Sequence, residues 1–327
     1  MMRVGIVGAG LAGLGAARTL RGAGHEVVIF EGNSSIGGRC CTERLGEFLF
    51  DTGCTSIAPR SPEMESAMHE ISTEGLVRIQ ESIYTHNSFR IGRGDISRDP
   101  VRRFTYVQGN QVLCERLGEG IDIRLNSFVN QLVKDDDGFD IAGERFARVI
   151  LATPPPVSAQ ILATLGEKRP LDNVSYRKCL SIQLGYDVPT PDVSYHAIVD
   201  PEQRHPLTWL SLESKKCQGR APEGGSAFVM QMSSGYSREH FDAAAEIIVR
   251  DGLEFLERLF GPRYRSPVVS SVARWKYSLP ENLAMFSSVN RPNSKVLLAS
   301  DGLLGGRTEL AYAAGAQAAR MILEESS

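Results

Sequence analysis

The sequence predicts an α/β fold, α+β when every element is counted, in which a doubly wound unit carries an inserted antiparallel sheet. Three observations carry that expectation. The first thirty residues read as strand, glycine-rich turn, helix and strand. A buried strand pattern returns only at 295–300, ahead of an alanine-rich helix. Between them runs a long stretch of short, broken strands, which suits an inserted sheet better than repeated crossovers.

Taken in order, residues 3–8 (RVGIVG) form a short buried strand. Leu11, Leu14, Ala17 and Leu20 then recur at helical spacing, and Gly22-Ala23-Gly24 closes that helix. His25 falls in the turn before a second strand at 27–31, where a structural role suits it. This is a β-α-β unit of the size a parallel crossover needs. Residues 61–75 read as helix, 76–107 as short strands and 111–117 as a short helix. Strands are expected at 121–125, 128–134 and 138–141, the last two joined through Asp135-Asp136-Asp137-Gly138. An Asp-Gly step between alternating segments marks a hairpin, and the acidic run reads as a solvated turn rather than a metal site. A strand at 146–152 is halted by Pro154-Pro155-Pro156. One long helix is expected at 237–260, with Phe255, Leu256, Leu259 and Phe260 on its apolar face. A strand at 295–300 and a helix at 308–324 complete the chain. The expected division is a discontinuous Rossmann-type unit at 1–75, 105–155 and 278–327, with a substrate unit at 76–104 and 156–277.

Composition narrows the function classes. The chain has 327 residues, 42% apolar and 23% charged, with a net charge of −3. That charge predicts no broad attraction to nucleic acid or acidic membrane. No apolar run is long enough to suggest a spanning helix, and a first strand at Arg3 leaves no room for a secretory signal, so a cytoplasmic location is expected. The six cysteines, at 40, 41, 54, 114, 179 and 217, contain no C-x-x-C pair. A dithiol centre or zinc knuckle is therefore not expected, and Cys40 and Cys41 read as two reduced thiols.

The chemistry concentrates at the first turn. Gly8-Ala9-Gly10-Leu11-Ala12-Gly13 fits G-x-G-x-x-G between a strand and a helix. Gly8 permits the tight turn, Gly10 keeps side chains away from a pyrophosphate, and Gly13 lets helix and strand pack closely. The free N–H groups of the helix start, at Leu11, Ala12 and Gly13, favour phosphate. Glu31 ends the second strand, where an acid accepts from ribose hydroxyls. Gly37-Gly38-Arg39 follows six residues later. An arginine there has electrostatic sense, because two phosphate charges exceed what one helix end neutralises.

With that extension the sequence resembles the FAD-dependent amine oxidase and renalase superfamily, whose fingerprint is a Rossmann motif, an acid, then Gly-Gly-Arg. The resemblance implies a Rossmann-type FAD-binding domain and contact of Gly38 and Arg39 with the pyrophosphate. Phe50-Asp51-Thr52-Gly53 resembles the family's aspartate-x-glycine element, which places Gly53 beside the flavin. Val129 corresponds to a backbone contact to adenine. Residues 149–154 match a strand ending in Ala-Thr-Pro, which brings Ala152 and Thr153 to the cofactor. Residues 297–314 resemble the last flavin motif, implying that Asp301 meets the ribityl or pyrophosphate portion. The same motif implies that the helix starting near Glu309, with Leu310 and Ala311, points N–H groups at the flavin C2 carbonyl. Trp209 with Lys215, Lys216 and Arg220, and then Arg274-Trp275-Lys276-Tyr277, resembles the small renalase-like branch. Two segments depart from that branch: Gly53-Cys54-Thr55-Ser56 and Ser300-Asp301-Gly302-Leu303. Pocket-facing residues have changed there.

The resemblance implies an FAD-dependent oxidoreductase taking hydride from a small reduced or amine-bearing substrate, such as a reduced nicotinamide nucleotide or an amine. Oxygen or another electron acceptor would reoxidise it. A flavin accepts hydride without an acidic or basic side chain, so no catalytic triad is required. Lys178 resembles the lysine that several amine oxidases place by a water near flavin N5. Trp275 and Tyr277, two apart on a strand, share a face and are candidates for the substrate pocket. No cysteine lies in 297–314, where covalent relatives attach flavin, so FAD is expected to be non-covalent. Two other readings stay open: a desaturase or isomerase for a larger ligand, and a non-catalytic FAD-binding protein.

Overall fold

The structure, a computed structural model, describes residues 1–87, 90–94, 101–135 and 138–325. Strand β1 (Arg3–Val7), helix α1 (Leu11–Gly22) and strand β2 (Glu26–Phe30) form the expected crossover. His25 Nδ1 accepts the Met2 N–H at 3.1 Å, which is its structural role. A hairpin of β3 (Thr42–Leu45) and β4 (Phe48–Asp51) follows. Helix α2 (Pro62–Glu70) opens on proline and on a Ser61 cap accepting the Met64 N–H at 3.2 Å. It stops short of 75 because Ile71 is extended. Next come β5 (Leu76–Arg78), β6 (Ser82–Asn87), β7 (Arg90–Arg93), β8 (Phe104–Tyr106) and α3 (Gln111–Leu117). Strand β5 pairs with β8 and packs on the first core, whereas β6 and β7 join the large second sheet.

Strands β9 (Asp122–Arg124), β10 (Val133–Lys134), β11 (Phe139–Ile141), β12 (Glu144–Phe146) and β13 (Arg148–Leu151) come next. The strand expected from 128 begins only at 133. Asn126 and Ser127 instead donate their N–H groups to Asn33 O and Glu31 O, at 2.9 and 2.8 Å, tying the segment beside β2. Asp136 and Asp137 of the acidic turn lie outside the described residues, although β10 and β11 do pair as a hairpin. The triple proline does more than end β13. Pro155 and Pro156 open α4 (Pro155–Ala163), where a missing N–H costs nothing.

The second half contains β14 (Tyr176–Tyr186), β15 (Tyr195–Val199), β16 (Leu207–Leu212), α5 (Glu213–Lys216), β17 (Ser226–Met232), α6 (Ser234–Glu239), α7 (Ala245–Phe260) and β18 (Val269–Pro280). The helix expected over 237–260 is therefore two. Arg274 donates to Phe241 O and Ala243 O at 3.0 and 2.7 Å, and Ala244 is extended, so the chain between them cannot stay helical. Helix α8 (Phe286–Val289), strand β19 (Val296–Leu298), helix α9 (Asp301–Leu304) and helix α10 (Thr308–Glu324) complete the chain.

Two sheets organise these elements. The first is parallel, in the order β19-β13-β1-β2-β9, and draws its strands from widely separated segments. Helices α1 and α10 cross one another with backbone almost touching. A Cβ on Gly315 would stand 1.8 Å from Ala12 O, and one on Gly15 would stand 2.4 Å from Tyr312 O. The second sheet runs β18-β14-β17-β16-β15-β6-β7 and is antiparallel except where β6 meets β15. Cross-strand partners share a face, so its two sides are readable. Leu180, Ile182, Leu184, Phe228, Met230 and Leu210 pack with Ile248 and Leu256 of α7. Cys179 pairs Trp275, Ser181 pairs Gln231, and Gln231 pairs Trp209, which assigns these residues to the opposite, more polar side. No helix among the described residues is long and apolar enough to cross a membrane.

Candidate active site

The three glycines of the first turn do different work. Gly8 sits at φ +106°, and a Cβ there would stand 2.8 Å from Ala152 O. At Gly13 a Cβ would collide with Gly8 O at 1.9 Å, so this glycine lets α1 close on the turn. A Cβ at Gly10 would meet nothing within 4 Å, leaving the space above the turn open. Leu11, Ala12 and Gly13 form the first turn of α1, whose N–H groups have no intrahelical acceptor. Buried Glu31 braces the turn: one carboxylate oxygen accepts the Ala9 N–H at 2.8 Å, and the other accepts the N–H and side-chain amide of Asn33 at 2.9 and 2.7 Å. Val129 is half-buried against the first core, in the segment that Ser127 anchors to Glu31 O.

The Gly37-Gly38-Arg39 loop lies directly on this turn. The Gly37 N–H donates to Ala9 O at 3.0 Å, and a Cβ on Gly38 would stand 3.7 Å from the Gly10 Cα. Arg39 Nη1 donates to Asp301 Oδ2 at 2.5 Å and to Ser278 O at 3.0 Å. Asp301 also accepts from Tyr176 Oη at 2.8 Å and from Ser300 at 3.0 Å. Burial, reinforced by the Asp301 carboxylate, pushes the Tyr176 phenol far above its ordinary value and keeps it a donor. Ala152 and Thr153 follow β13 at the edge of the same turn, with the Ala152 N–H on Val7 O at 2.8 Å.

A third loop completes the wall. A Cβ on Gly53 would stand 2.3 Å from Arg39 O, so its lack of a side chain permits contact with the Arg39 backbone. Trp275 Nε1 donates to Thr52 O at 3.1 Å, and Gln231 donates to Gly53 O at 2.7 Å. Tyr277 meets the Tyr176 ring edge-on at 5.7 Å. Both aromatic candidates thus stand on the polar side of the second sheet, near the Arg39 and Gly53 loops. Glu309 is buried in the first turn of α10, with Arg307 Nε 3.0 Å from one of its oxygens. The Leu310 and Ala311 N–H groups, expected to point at the flavin C2 carbonyl, donate to Arg307 O at 3.1 and 3.0 Å.

Lys178, expected beside the flavin, lies apart from this assembly. The pairing of β14 with β18 shifts register between Arg177 and Cys179. Cys179 turns towards Trp275, and Lys178 turns the other way, its ammonium 4.3 Å from the centre of the Phe241 ring. That contact satisfies the charge in the helix layer behind the sheet. Sequence reasoning missed Tyr176 and Gln231, because neither carries a motif and each is brought in by sheet register. It also missed the burial of Asp51, Glu213, Lys216 and Arg220, all fully enclosed together.

The open face at Gly10 and the N–H groups of the helix start suit the charge of a dinucleotide pyrophosphate, with Arg39 following Gly38 in the adjoining loop. A family model described as flavin containing amine oxidoreductase matches residues 11–106 and 82–323. Over 54 residues the chain is 50% identical to a Mycobacterium tuberculosis protein provisionally named flavin-containing monoamine oxidase AofH. Over 56 residues it is 43% identical to the 4,4'-diapophytoene desaturase of Staphylococcus aureus. Those segments are 16% and 17% of this chain, and only 12% and 11% of the relatives' own length. Among solved structures, a provisionally named protoporphyrinogen oxidase from Exiguobacterium superposes with a TM-score of 0.81 at 16% identity, over 99% of both chains. At that identity the likeness speaks for the fold. The family match spans most of the chain and agrees with the glycine turns at its centre: this protein belongs to the flavin-containing amine oxidoreductases.

Proposed function

We propose that the chain binds FAD non-covalently and oxidises a small reduced or amine-bearing molecule. The observation that carries this reading is the abutment of two glycine loops, with Gly38 against Gly10 and the space that a Gly10 side chain would enter left open. The Leu11, Ala12 and Gly13 N–H groups, together with Gly38 and Arg39, would hold the pyrophosphate. Glu31 would hold the ribose hydroxyls, and the chain at Val129 the adenine. Gly8, Ala152, Thr153, Gly53, Asp301 and the start of α10 from Glu309 would line the remainder. The cofactor supplies hydride acceptance when bound. The protein's part is orientation and exclusion of water, with Trp275 and Tyr277 offering flat walls to the substrate. The cofactor unit is assigned to 1–75, 105–155 and 278–327, and the substrate unit to 76–104 and 156–277.

The renalase-like reading of the substrate, a reduced nicotinamide nucleotide or an amine with oxygen as acceptor, rests on the motifs around Trp209 and Trp275. The segment shared with the 4,4'-diapophytoene desaturase favours a second reading, desaturation of a larger ligand. Purified protein should be yellow and should release intact FAD on denaturation. Anaerobic addition of amines, dihydronicotinamides or polyenes then separates the readings by which one bleaches the flavin. A colourless protein that cannot be reconstituted with FAD would overturn the proposal.

A further inference from the structure

Asp51, Glu213, Lys216 and Arg220 carry two negative and two positive charges, and all four side chains are fully out of water. Lys216 Nζ stands 2.7 Å from Asp51 Oδ2 and 2.6 Å from Glu213 Oε2, and donates to Thr55 O at 3.0 Å. Arg220 Nη2 reaches the same Asp51 oxygen at 2.8 Å, and Thr105 Oγ1 and Tyr106 O at 2.7 and 2.8 Å. The second Asp51 oxygen accepts from Thr42 Oγ1 at 2.7 Å and from the Asn110 N–H at 2.8 Å. Burying ions costs several kcal/mol each before their attraction offsets it, and apolar residues of similar size often pack as stably. What such a network supplies that packing does not is fixed geometry.

The geometry concerns one turn. Lys216 grips Asp51 at the start of residues 51–55 and Thr55 at their end, so a single ammonium closes the turn. Within it, Thr52 O and Gly53 O are held by Trp275 of β18 and Gln231 of β17, strands of the sheet whose β16 runs directly into α5. On its other side Gly53 is pressed against Arg39 O, and the Cys54 N–H donates to that oxygen at 2.7 Å. We infer that Lys216 is a positioning residue that fixes the 51–55 turn between the second sheet and the Gly38–Arg39 loop, so that substrate sheet and cofactor cradle keep one spacing. The inference rests on the flavin-binding reading above.

Lys216→Met alone leaves an uncompensated buried carboxylate and can unfold the chain on that ground. The Lys216→Met/Asp51→Asn double variant leaves only the balanced Glu213 and Arg220 pair. Lys216→Arg keeps the charge but exchanges a compact ammonium for a planar fork, and carries the same expectation. Either variant, once shown to be folded by circular dichroism and a cooperative melt, should bind FAD at least about tenfold more weakly. It should also shift the visible flavin band and reduction potential, which a purely structural residue would leave alone. A folded double variant with wild-type affinity, spectrum and potential would overturn the inference. So would failure of both variants to fold, which would make Lys216 a core residue only. A wild-type protein without flavin would instead remove the reading beneath it.

Discussion

At the residue scale, the glycine turn was legible because its chemistry is local. Gly8, Gly10 and Gly13 are read from backbone need alone, and Glu31 from its spacing, whereas the direction of Lys178 depends on a register shift and on Phe241 far along the chain. The open side of Gly10 gives a sharp expectation. Gly10→Val adds a side chain into free space, so the protein should fold, yet on the proposed reading it should bind no measurable FAD because the branch fills the place proposed for the phosphate. Glu31→Ala should act more mildly. Losing the charge-assisted bond proposed between Glu31 and ribose would cost about 1.5–3 kcal/mol, on the order of ten- to a hundredfold in affinity. It should also lower the melting point, since the Ala9 and Asn33 N–H groups lose their acceptor. Titrating FAD into the two apo-variants checks both. Normal occupancy in folded Gly10→Val would show that this turn is not the phosphate cradle.

At the element scale, helix α10 was legible from Thr308 to Glu324 because its alanine-rich periodicity is internal. The break between α6 and α7 was not, because Arg274 makes it from a distant strand, and α4 was hidden by prolines that also begin helices. The packing of α1 on α10 tests how tightly such local patterns are constrained. Gly22, at the end of α1, has nothing within 4 Å of a Cβ, whereas Gly315 has Ala12 O at 1.8 Å. Gly315→Ala should therefore destabilise by about 1–3 kcal/mol through overpacking, while Gly22→Ala should be neutral or slightly stabilising. Equal melting temperatures for the two variants would contradict this close approach of the helices.

At the scale of the whole molecule, the discontinuous parallel sheet was legible from the returning strand at 295–300, but the assembly of polar groups behind the 51–55 turn was not, since its members lie far apart in sequence. That assembly also shapes stability against acid. Burial pushes the His196 imidazole down to about 4, helped by the Lys216 and Arg103 cations and opposed by Glu81 O at 2.7 Å from Nδ1. Burial pushes the Asp51 carboxyl up, but Lys216 and Arg220 outweigh it and hold it at about 2. Both groups bind protons more readily unfolded than folded, so each contributes stability at neutral pH that is lost on acidification. The His196 contribution is complete above roughly pH 6.5 and is lost towards pH 4, and it is on the order of 3 kcal/mol. The Asp51 contribution fades below that, as pH falls from roughly 3.9 towards 2. Urea midpoints should fall between pH 7.5 and pH 4.5, and His196→Gln should flatten that fall. An unchanged slope in the variant would exclude His196 as its source.

The position of β19 has a consequence for biosynthesis. Strand β1 lies at the centre of the parallel sheet, yet β13 receives its outer neighbour only when residues 296–298 are made, and α1 receives α10 later still. At translation rates of roughly 5–20 residues per second, α1 waits on the order of fifteen seconds to a minute for α10, and β13 about half as long for β19. Until then the nascent chain carries an open strand edge and a bare helix groove at Gly15 shaped for backbone contact. Both are adhesive until covered, so the growing polypeptide is most open to unwanted pairing before its last strand and helix arrive.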